Sequence, residues 1–184
     1  MKKSAWSIAL ALCCGIPAVN AGDYMLMPNI GKGQLKVDRR YLISDTYDNN
    51  ISVYSLGLLF GYRFDSNVII AGSTSVSSGE FFNFTDRYEL KERGVLAGYA
   101  IDIGNKFRLI PMLGYSRWRF DTEEGIFLNP GPEAEARFHG SDMYGKLNLE
   151  WVISSVFQLN FAYQSGDYDI GHVDTSHIGF KFEF

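Results

Sequence analysis

The chain has 184 residues, of which 46% are hydrophobic and 15% aromatic, and its formal net charge is −4. This length suits a single domain, and a net acidic chain is a poor partner for nucleic acid. The mean hydropathy is only −0.08, because apolar and polar residues are interleaved along most of the sequence. Such interleaving is typical of β-strands that have one apolar face.

The first part of the chain is predicted to be a cleaved signal peptide that ends at Ala21. Lys2 and Lys3 precede an apolar run, and small residues follow where signal peptidase cleaves. The run is shorter than the roughly 20 residues that a membrane-spanning helix requires. A lipoprotein signal ending at Cys13 is the alternative, which the bulky Leu12 in front of it disfavours.

The mature domain is then residues 22–184, and it contains neither Cys13 nor Cys14, the two cysteines of the chain. This excludes a disulfide, a thiolate metal site and a cysteine nucleophile. Cleavage removes two of the 17 basic residues and none of the 21 acidic ones, so the mature net charge is 15 − 21 = −6. We expect no cofactor and no nucleic-acid partner.

The clearest predicted strand covers residues 53–64, where alternate positions are apolar: Tyr54, Leu56, Leu58, Phe60, Tyr62 and Phe64. Its length matches the roughly 9–11 residues of a membrane-spanning strand. Further alternating segments are predicted at residues 67–76, 90–103, 107–120, 143–153, 157–164 and 177–184. The first strand is weakly marked and is placed at residues 35–43, from Leu35, Val37, Tyr41 and Ile43, although Arg39 falls on the same face.

The connections between these segments alternate in length. Short turns follow residues 64, 103 and 153, whereas longer loops are predicted after residue 44 and at residues 77–88, 121–141 and 166–174. Short periplasmic turns, long extracellular loops and an even strand number are typical of bacterial outer-membrane barrels. The sequence therefore predicts an all-β fold, a transmembrane antiparallel up-and-down β-barrel of about eight strands in the bacterial outer membrane. A soluble β-sandwich or lipocalin-like barrel is the alternative.

The strand faces opposite the apolar ones carry charges that a soluble core would not bury unpaired. These residues are Arg63, Asp102, Lys146, Glu150, Lys181 and Glu183. In a small membrane barrel they are expected to point into the lumen and to pair with one another. Because side chains can fill the interior of an eight-stranded barrel, we predict a plugged lumen. A narrow conduit that opens when these pairs rearrange is the alternative.

Three segments carry a resemblance to a known family: residues 58–64 (LLFGYRF), residues 113–115 (LGY) and residues 179–184 (GFKFEF). On these the chain resembles the small eight-stranded outer-membrane barrels, the OmpA transmembrane domain and the OmpX/Ail-like proteins. The resemblance implies that the outer-membrane assembly machinery reads the last strand, through Ile178, Phe180, Phe182 and Phe184. The periplasmic domain that follows the OmpA barrel is not expected here, because the chain ends at Phe184.

Pro111 lies inside one of the predicted strands. Proline lacks the backbone N–H that a strand paired on both sides uses. We therefore expect a β-bulge at Pro111, which would exchange the inward and outward faces of the residues that follow it, up to Phe120.

A basic group is predicted near the extracellular ends of two neighbouring strands. Lys91 and Arg93 share the parity of apolar residues on their strand, and so do Arg117 and Arg119 on the next. If both pairs face outward, they lie at the height of lipopolysaccharide phosphates, which the arginine fork suits. The alternatives are ordinary rim charges, or inward-facing arginines if the expected bulge is present.

A lipid A-directed hydrolase is a further alternative, because His139, Ser141 and Asp142 supply the residue types of acyl-ester hydrolysis. The deacylase barrels that the chain resembles carry a His-x-Ser motif near the end of the penultimate strand. Residues 163–165 (YQS) stand there in this chain and include no histidine. We therefore expect a protein that is not an enzyme.

The other two histidines, His172 and His177, are expected near the extracellular mouth. Asp167, Asp169 and Asp174 are close to them in the sequence. Metal capture there is an alternative, but the spacing fixes no ligand geometry. Solvated loop histidines and no metal are the expectation.

Two long loops contain apolar candidates for binding: Phe81, Phe82 and Phe84 in one, and Ile126, Phe127 and Leu128 in the other. Exposed apolar groups can anchor a partner; the alternatives are that they pack together or lie among lipid head groups. The leading hypothesis is a non-enzymatic barrel that supports the envelope and binds or adheres through its loops. Its expected partners are outer-membrane lipid, lipopolysaccharide, the assembly machinery and a host or cell-surface ligand. A small transport protein for a solute or hydrophobic molecule is the second hypothesis, and the hydrolase is the third.

Overall fold

The computed structural model describes residues 22–41, 49–79, 86–124 and 135–184. Eight strands account for most of these residues: β1 (Gly22–Val37), β2 (Asn50–Phe64), β3 (Val68–Gly79), β4 (Asp86–Tyr99, continued by Ile101–Ile103), β5 (Phe107–Glu124), β6 (Glu135–Val152), β7 (Phe157–Tyr168) and β8 (Gly171–Glu183). A short 3-10 helix, Arg39–Tyr41, follows β1. Within the described ranges, no helix is long and apolar enough to cross a membrane.

The strands close into an antiparallel barrel. Each strand pairs with its neighbours in the chain, and β1 pairs with β8 to complete the ring. One line of paired residues can be followed around the barrel from Leu147 on β6, through Tyr163, Ser176, Lys32, Tyr54, Ser78, Glu89 and Asp121, back to Arg137 on β6. The line returns ten residues away from its start, at Arg137 instead of Leu147. This offset is the shear that tilts the strands against the barrel axis.

An apolar belt surrounds the barrel on its outer surface. It consists of alternate residues of every strand, and its members include Ile30, Leu56, Ile70, Val95, Leu113, Met143, Leu147, Phe161 and Ile178, which are 43–67% exposed. An outward apolar band on all strands is the arrangement that contacts lipid in a membrane barrel. The charges predicted to face the lumen lie on the opposite side of the same strands.

Above the belt, toward the end of the barrel that carries the longer connections, the pattern reverses along the same strands. On β5 the outward residues become Arg117 and Arg119, whereas the inward Trp118 and Phe120 are buried. They pack in an apolar core with Leu35, Val37, Leu90, Ile170 and Val173. The upper barrel therefore has a polar outside and an apolar inside, as a water-soluble domain has.

The first strand differs from the prediction. It covers Gly22–Val37 instead of residues 35–43, and Arg39 belongs to the 3-10 helix that follows. The inward Met25 and Met27 are as apolar as their outward neighbours, so the sequence shows no alternation where the strand begins.

The bulge predicted at Pro111 is wrong. β5 keeps a single register with β6 throughout, and Pro111 pairs opposite Leu147. The ladder on the other side, between β4 and β5, is interrupted between the pairs Gly98–Met112 and Ile101–Leu109, where Tyr99 lies across from the proline. The missing N–H is therefore accommodated by a local break in one ladder, and the residues up to Phe120 keep their parity.

The predicted loops are shorter in the structure than in the sequence-based assignment. β5 continues to Glu124 and β6 starts at Glu135, so much of the segment 121–141 is paired strand. β7 and β8 are joined by residues 169–170. The predicted signal peptide, residues 1–21, lies outside the described residues, and so do the loop candidates Phe81, Phe82, Phe84, Ile126, Phe127 and Leu128.

Candidate functional site

The four predicted basic residues form one outward patch, called the basic face below: Lys91, Arg93, Arg117 and Arg119. In the ladder between β4 and β5, Lys91 lies directly opposite Arg119, and Arg93 lies directly opposite Arg117. Lys91, Arg93 and Arg117 are exposed, and Arg119 is half-buried. The outward residues immediately below them, Val95 and Tyr115, belong to the apolar belt. Because the parity of β5 is kept through Pro111, Arg117 and Arg119 do not turn into the lumen.

A carboxylate above the belt holds part of the basic face in position. The Nε atoms of Arg119 and Arg137 donate hydrogen bonds to Asp121 Oδ1 at 2.8 and 2.9 Å. Lys91 Nζ lies 3.8 Å from Asp121 Oδ2 and also contacts Glu89. Burial opposes ionisation of Asp121, but the hydrogen bonds from the two arginines outweigh it and lower the pKa of the carboxyl group.

Arg137 extends this surface onto β6 and was not among the predicted site residues. It pairs opposite Asp121 and shares its outward side. The sequence predicts a loop in this segment because it contains residues 129–132 (NPGP) and an acidic stretch. The signal that identifies Arg137 is the continued period-two alternation of polar residues, which a search for apolar alternation overlooks.

The residues considered for a hydrolase lie on two different faces of β6. His139 and Ser141 are exposed on the outside. Asp142 faces inward, where its Oδ2 atom accepts hydrogen bonds from Trp118 Nε1 at 2.7 Å and from the Asp169 backbone N–H at 3.1 Å. A carboxylate that orients a catalytic histidine must lie within hydrogen-bond reach of it. The strand itself separates these groups, so this geometry contradicts a His139–Ser141–Asp142 triad.

Five of the six predicted lumen charges meet at the end of the barrel with the short turns. Lys181 is fully buried, and its Nζ atom lies 2.8 Å from both Glu150 Oε2 and Glu183 Oε1. Arg108 Nη1 approaches the same two carboxylates, at 3.5 and 3.4 Å, and its Nε donates to Asp102 Oδ1 at 2.9 Å. Arg108 was not predicted, although it lies directly opposite Glu150 in the ladder.

Arg63 connects this network to the first strand. Its Nη2 atom lies 3.6 Å from Glu183 Oε2 and 2.5 Å from Asp23 Oδ2. Gln158 Nε2 also donates to Glu183 Oε2, at 3.0 Å. The network therefore receives side chains from six strands, β1, β2, β5, β6, β7 and β8, and from Asp102 in the continuation of β4.

The sixth predicted lumen residue, Lys146, belongs to a second buried polar group, four residues along β6 from Glu150. There the Glu92 carboxylate accepts hydrogen bonds from Tyr168 Oη at 2.5 Å and from Ser75 Oγ at 3.1 Å. A cavity of about 20 Å³ lies among Glu92, Lys146 and their neighbours. This space has room for about one water molecule.

No protein-family model matches the sequence, and no curated protein matches it. Solved structures do match. Ail of Yersinia pestis, in complex with the heparin analogue sucrose octasulfate, is 18% identical with a TM-score of 0.59, and the match covers 89% of this chain and 99% of that chain. Neisserial surface protein A is 12% identical with a TM-score of 0.66, covering 88% and 97%. OprG of Pseudomonas aeruginosa is 13% identical with a TM-score of 0.55, covering 89% and 96%.

The chain has the fold of a small outer-membrane β-barrel. At identities this low the likeness establishes the fold, and function has to be argued from the site. In this outer-membrane barrel fold the predicted assembly signal lies on the outside of the last strand: Ile178, Phe180, Phe182 and Phe184 are all exposed. The backbone of Phe184 exchanges hydrogen bonds of 2.9 and 3.0 Å with Tyr24, so the end of the barrel seam is paired.

The two histidines expected together near the mouth of the barrel lie apart. His177 faces the lumen, whereas His172 lies outside, above the belt. His172 Nδ1 is 2.6 Å from Asp167 Oδ1, and its Nε2 is 2.9 Å from Asp174 Oδ2. The hydrogen bond with Asp167 raises the pKa of His172 against the opposing effect of partial burial, and Asp174 raises it further. In the part of the chain that the structure describes, no group of three or more His, Cys, Asp and Glu side chains is arranged to hold a metal ion.

Proposed function

We propose that this protein is a non-enzymatic barrel of the bacterial outer membrane with a closed lumen, which supports the envelope and binds anionic groups at its extracellular surface. The observation that carries the binding role is the basic face, in which two cations of β4 stand directly opposite two of β5. These four side chains begin immediately above Val95 and Tyr115 of the apolar belt. The phosphates of lipopolysaccharide are the first expected ligand at this height.

The closed lumen is supported by the charges that bridge it. Lys181 and Glu150 are fully buried, and Arg108 approaches the carboxylates of both Glu150 and Glu183. Opening a path through these contacts would leave buried charges unpaired, which costs several kcal/mol, on the order of 3–5 for the loss of one partner. The apolar core around Phe120 occupies the inside of the barrel at its other end.

Single-channel conductance in a planar bilayer tests the closed lumen. The heat-modifiable gel shift of the protein first confirms that it is folded. We expect the folded protein to give no discrete current steps. Reproducible steps would contradict the closed lumen and would favour the alternative function, transport of a solute.

The chemistry of the basic face suits phosphate and sulfate esters. Arginine presents a planar fork of donors that binds such oxygens in pairs, and lysine adds a mobile point charge. The Ail structure contains a sulfated heparin analogue. Because sulfate and phosphate esters present similar oxygens, a sulfated sugar on a host surface is the second ligand that we propose for the same residues.

Replacement of Lys91, Arg93, Arg117 and Arg119 by Gln tests the basic face. We expect association with lipopolysaccharide to weaken about tenfold or more, since hydrogen bonds between charged groups are lost. A matched variant replaces four other exposed cations by Gln: Lys36, Arg39, Arg40 and Lys106. Both variants are compared in cosedimentation with lipopolysaccharide and in binding to immobilised heparin.

The control separates a local site from a general effect of charge. If the matched variant loses as much affinity as the basic-face variant, or if the basic-face variant binds both ligands normally, the proposal is wrong. Loss of heparin binding alone would assign the surface to the sulfated sugar and would contradict the lipopolysaccharide contact.

A further inference from the structure

A groove of about 910 Å³ runs along the outer surface of β8, β1, β2 and β3 and ends next to the basic face, since Val76 of β3 pairs with Lys91 of β4. Two rows of outward residues line it, and in each row the members pair directly across the strands. The lower row is apolar: Ile178, Ile30, Leu56 and Val76. The upper row is polar: Ser176, Lys32, Tyr54 and Ser78. The volume falls within the range of about 300–1,000 Å³ that is usual for small-molecule sites.

Lys32 marks the upper lip of the groove. Its Nζ atom lies 5.5 Å from the centre of the Tyr54 ring, which is a cation–π distance. The outward residue below it on β1 is Ile30, and the outward residues above it are Gln34 and Lys36. The ammonium group therefore stands at the boundary between the apolar belt and the polar surface above it.

We propose that this groove holds one acyl chain of an anionic phospholipid whose phosphate binds Lys32. The acyl chain of the lipid lies along the lower, apolar row. The lipid phosphate accepts hydrogen bonds from the Lys32 ammonium group. Ser176 is the neighbour of Lys32 in the same row, and its hydroxyl group provides a further donor. A lysine ammonium binds phosphate as a compact point charge. The proposal rests on the proposed location of the barrel in the outer membrane, and it does not depend on the closed lumen or on the basic face.

The number of cations at the groove decides which lipid fits it. The upper row contains one cation, Lys32, and three residues with a hydroxyl group, Ser176, Tyr54 and Ser78, which match a head group with one phosphate and one negative charge. The basic face has four cations and suits a more highly charged ligand. The two surfaces are thus expected to select different lipids.

Fluorescence quenching by a brominated lipid tests the groove. Val76→Trp places a reporter in the apolar row, and Val95→Trp places one in the belt outside the groove. In both proteins the outward Trp151 is replaced by Phe, and the buried Trp118 gives a constant background. The full protein is purified in mild detergent and titrated with dibrominated phosphatidylglycerol, and separately with phosphatidylcholine that carries the same chains.

We expect phosphatidylglycerol to quench the Val76→Trp reporter with saturation near one lipid per barrel, and the Val95→Trp reporter only in proportion to the lipid added. Lys32→Gln should weaken the saturable binding about tenfold, the effect of losing one hydrogen bond to a charged group. Lys36→Gln is the matched control, because Lys36 lies on the same strand and the same face above the groove, and it should leave the binding unchanged.

Three results would overturn the proposal. Equal, non-saturating quenching of both reporters would mean that the groove holds only the lipid that surrounds any barrel. Equal affinity for phosphatidylcholine would exclude a role for the phosphate charge at Lys32. Stronger displacement by unlabelled lipid A than by unlabelled phosphatidylglycerol would assign the groove to a different lipid. Native mass spectrometry of the protein without reporter substitutions checks the one-lipid stoichiometry and its dependence on Lys32.

Discussion

Removal of the buried Lys181 ammonium group is the most direct test of the lumen network. Lys181→Met keeps a long side chain and deletes the charge that lies 2.8 Å from Glu150 and from Glu183. The two carboxylates then retain Arg108, at the longer distances of 3.5 and 3.4 Å. Loss of one partner from a buried ion pair costs about 3–5 kcal/mol. Because Lys181 contacts two carboxylates, we expect a decrease in the free energy of unfolding near the upper end of this range.

The free energy of unfolding is measured by urea titration of the protein in lipid vesicles, followed by tryptophan fluorescence and by the gel shift. Lys36→Met serves as the control, because Lys36 is exposed on the outside of β1, and it should change the stability by less than about 0.5 kcal/mol. Adding Glu150→Gln to Lys181→Met should restore part of the loss, since it removes one of the unpaired charges. A decrease below about 1 kcal/mol for Lys181→Met would refute a network that stabilises the closed lumen, because the expected minimum is about 3.

Two further predictions concern the upper barrel. The pKa of His172 is raised, so its charged form stabilises the β7–β8 hairpin. This contribution is complete below about pH 6.5, the ordinary pKa of histidine. It is lost as the pH rises through the raised pKa. Amide hydrogen exchange in the hairpin should therefore be slower at pH 6 than at pH 8.5, after correction for its intrinsic pH dependence. Equal protection at the two pH values would contradict this role. So would the same difference between the two pH values in the His172→Asn variant. Gly33→Ala should lower stability by about 1–3 kcal/mol, because a Cβ atom there would lie 1.9 Å from the Asp174 carbonyl oxygen. Gly72→Ala is the control, because its Cβ atom would lie 3.9 Å from the nearest atom, and it should change the free energy of unfolding by less than about 0.5 kcal/mol. Equal effects of the two substitutions in urea titration would show that close strand packing at Gly33 does not matter.

Much of the fold could be predicted because most strands are apolar at every second position where they face lipid. Residues 53–64 were assigned to a strand from their apolar positions, and they fall inside the observed β2, Asn50–Phe64. The parity of Lys91 and Arg93 followed from the same alternation and is correct. Alternation works here because a lipid-facing strand must be apolar on one side and, in a narrow barrel, can be polar on the other.

The rest could not be predicted because hydrophobic alternation has a physical meaning only where the outside of the barrel meets lipid. At the start of β1 both faces are apolar, as Met25 and Leu26 show, so the period is hidden. Above the belt the outward positions are charged, so the strand around Arg137 lacks the apolar alternation that predicts a strand. Pro111 shows a third limit, because a missing N–H predicts that one ladder is broken, but not whether the strand bulges or its neighbour is interrupted.

The grouping of lumen charges also lay beyond the sequence. Inward parity identified Lys146 and Glu150 alike, yet the structure places them in two separate polar groups along β6. Which inward residues meet depends on the shear of the barrel, since it decides which positions of distant strands share one level. Residue parity gives the side of a strand and contains no information about that offset.

The reversal of polarity along each strand also fixes the depth at which the molecule sits in the bilayer. The change falls between Ile30 and Lys32 on β1, between Val95 and Arg93 on β4, and between Tyr115 and Arg117 on β5. Sinking by one pair of residues would carry these cations toward hydrocarbon, at a cost that rises from about 0–1 kcal/mol near the interface to about 2–4 at the midplane for each. Rising by the same distance would lift apolar side chains into water. A change of depth is therefore unfavourable in both directions, and in a bilayer of different thickness the surrounding lipids adjust their thickness to the protein.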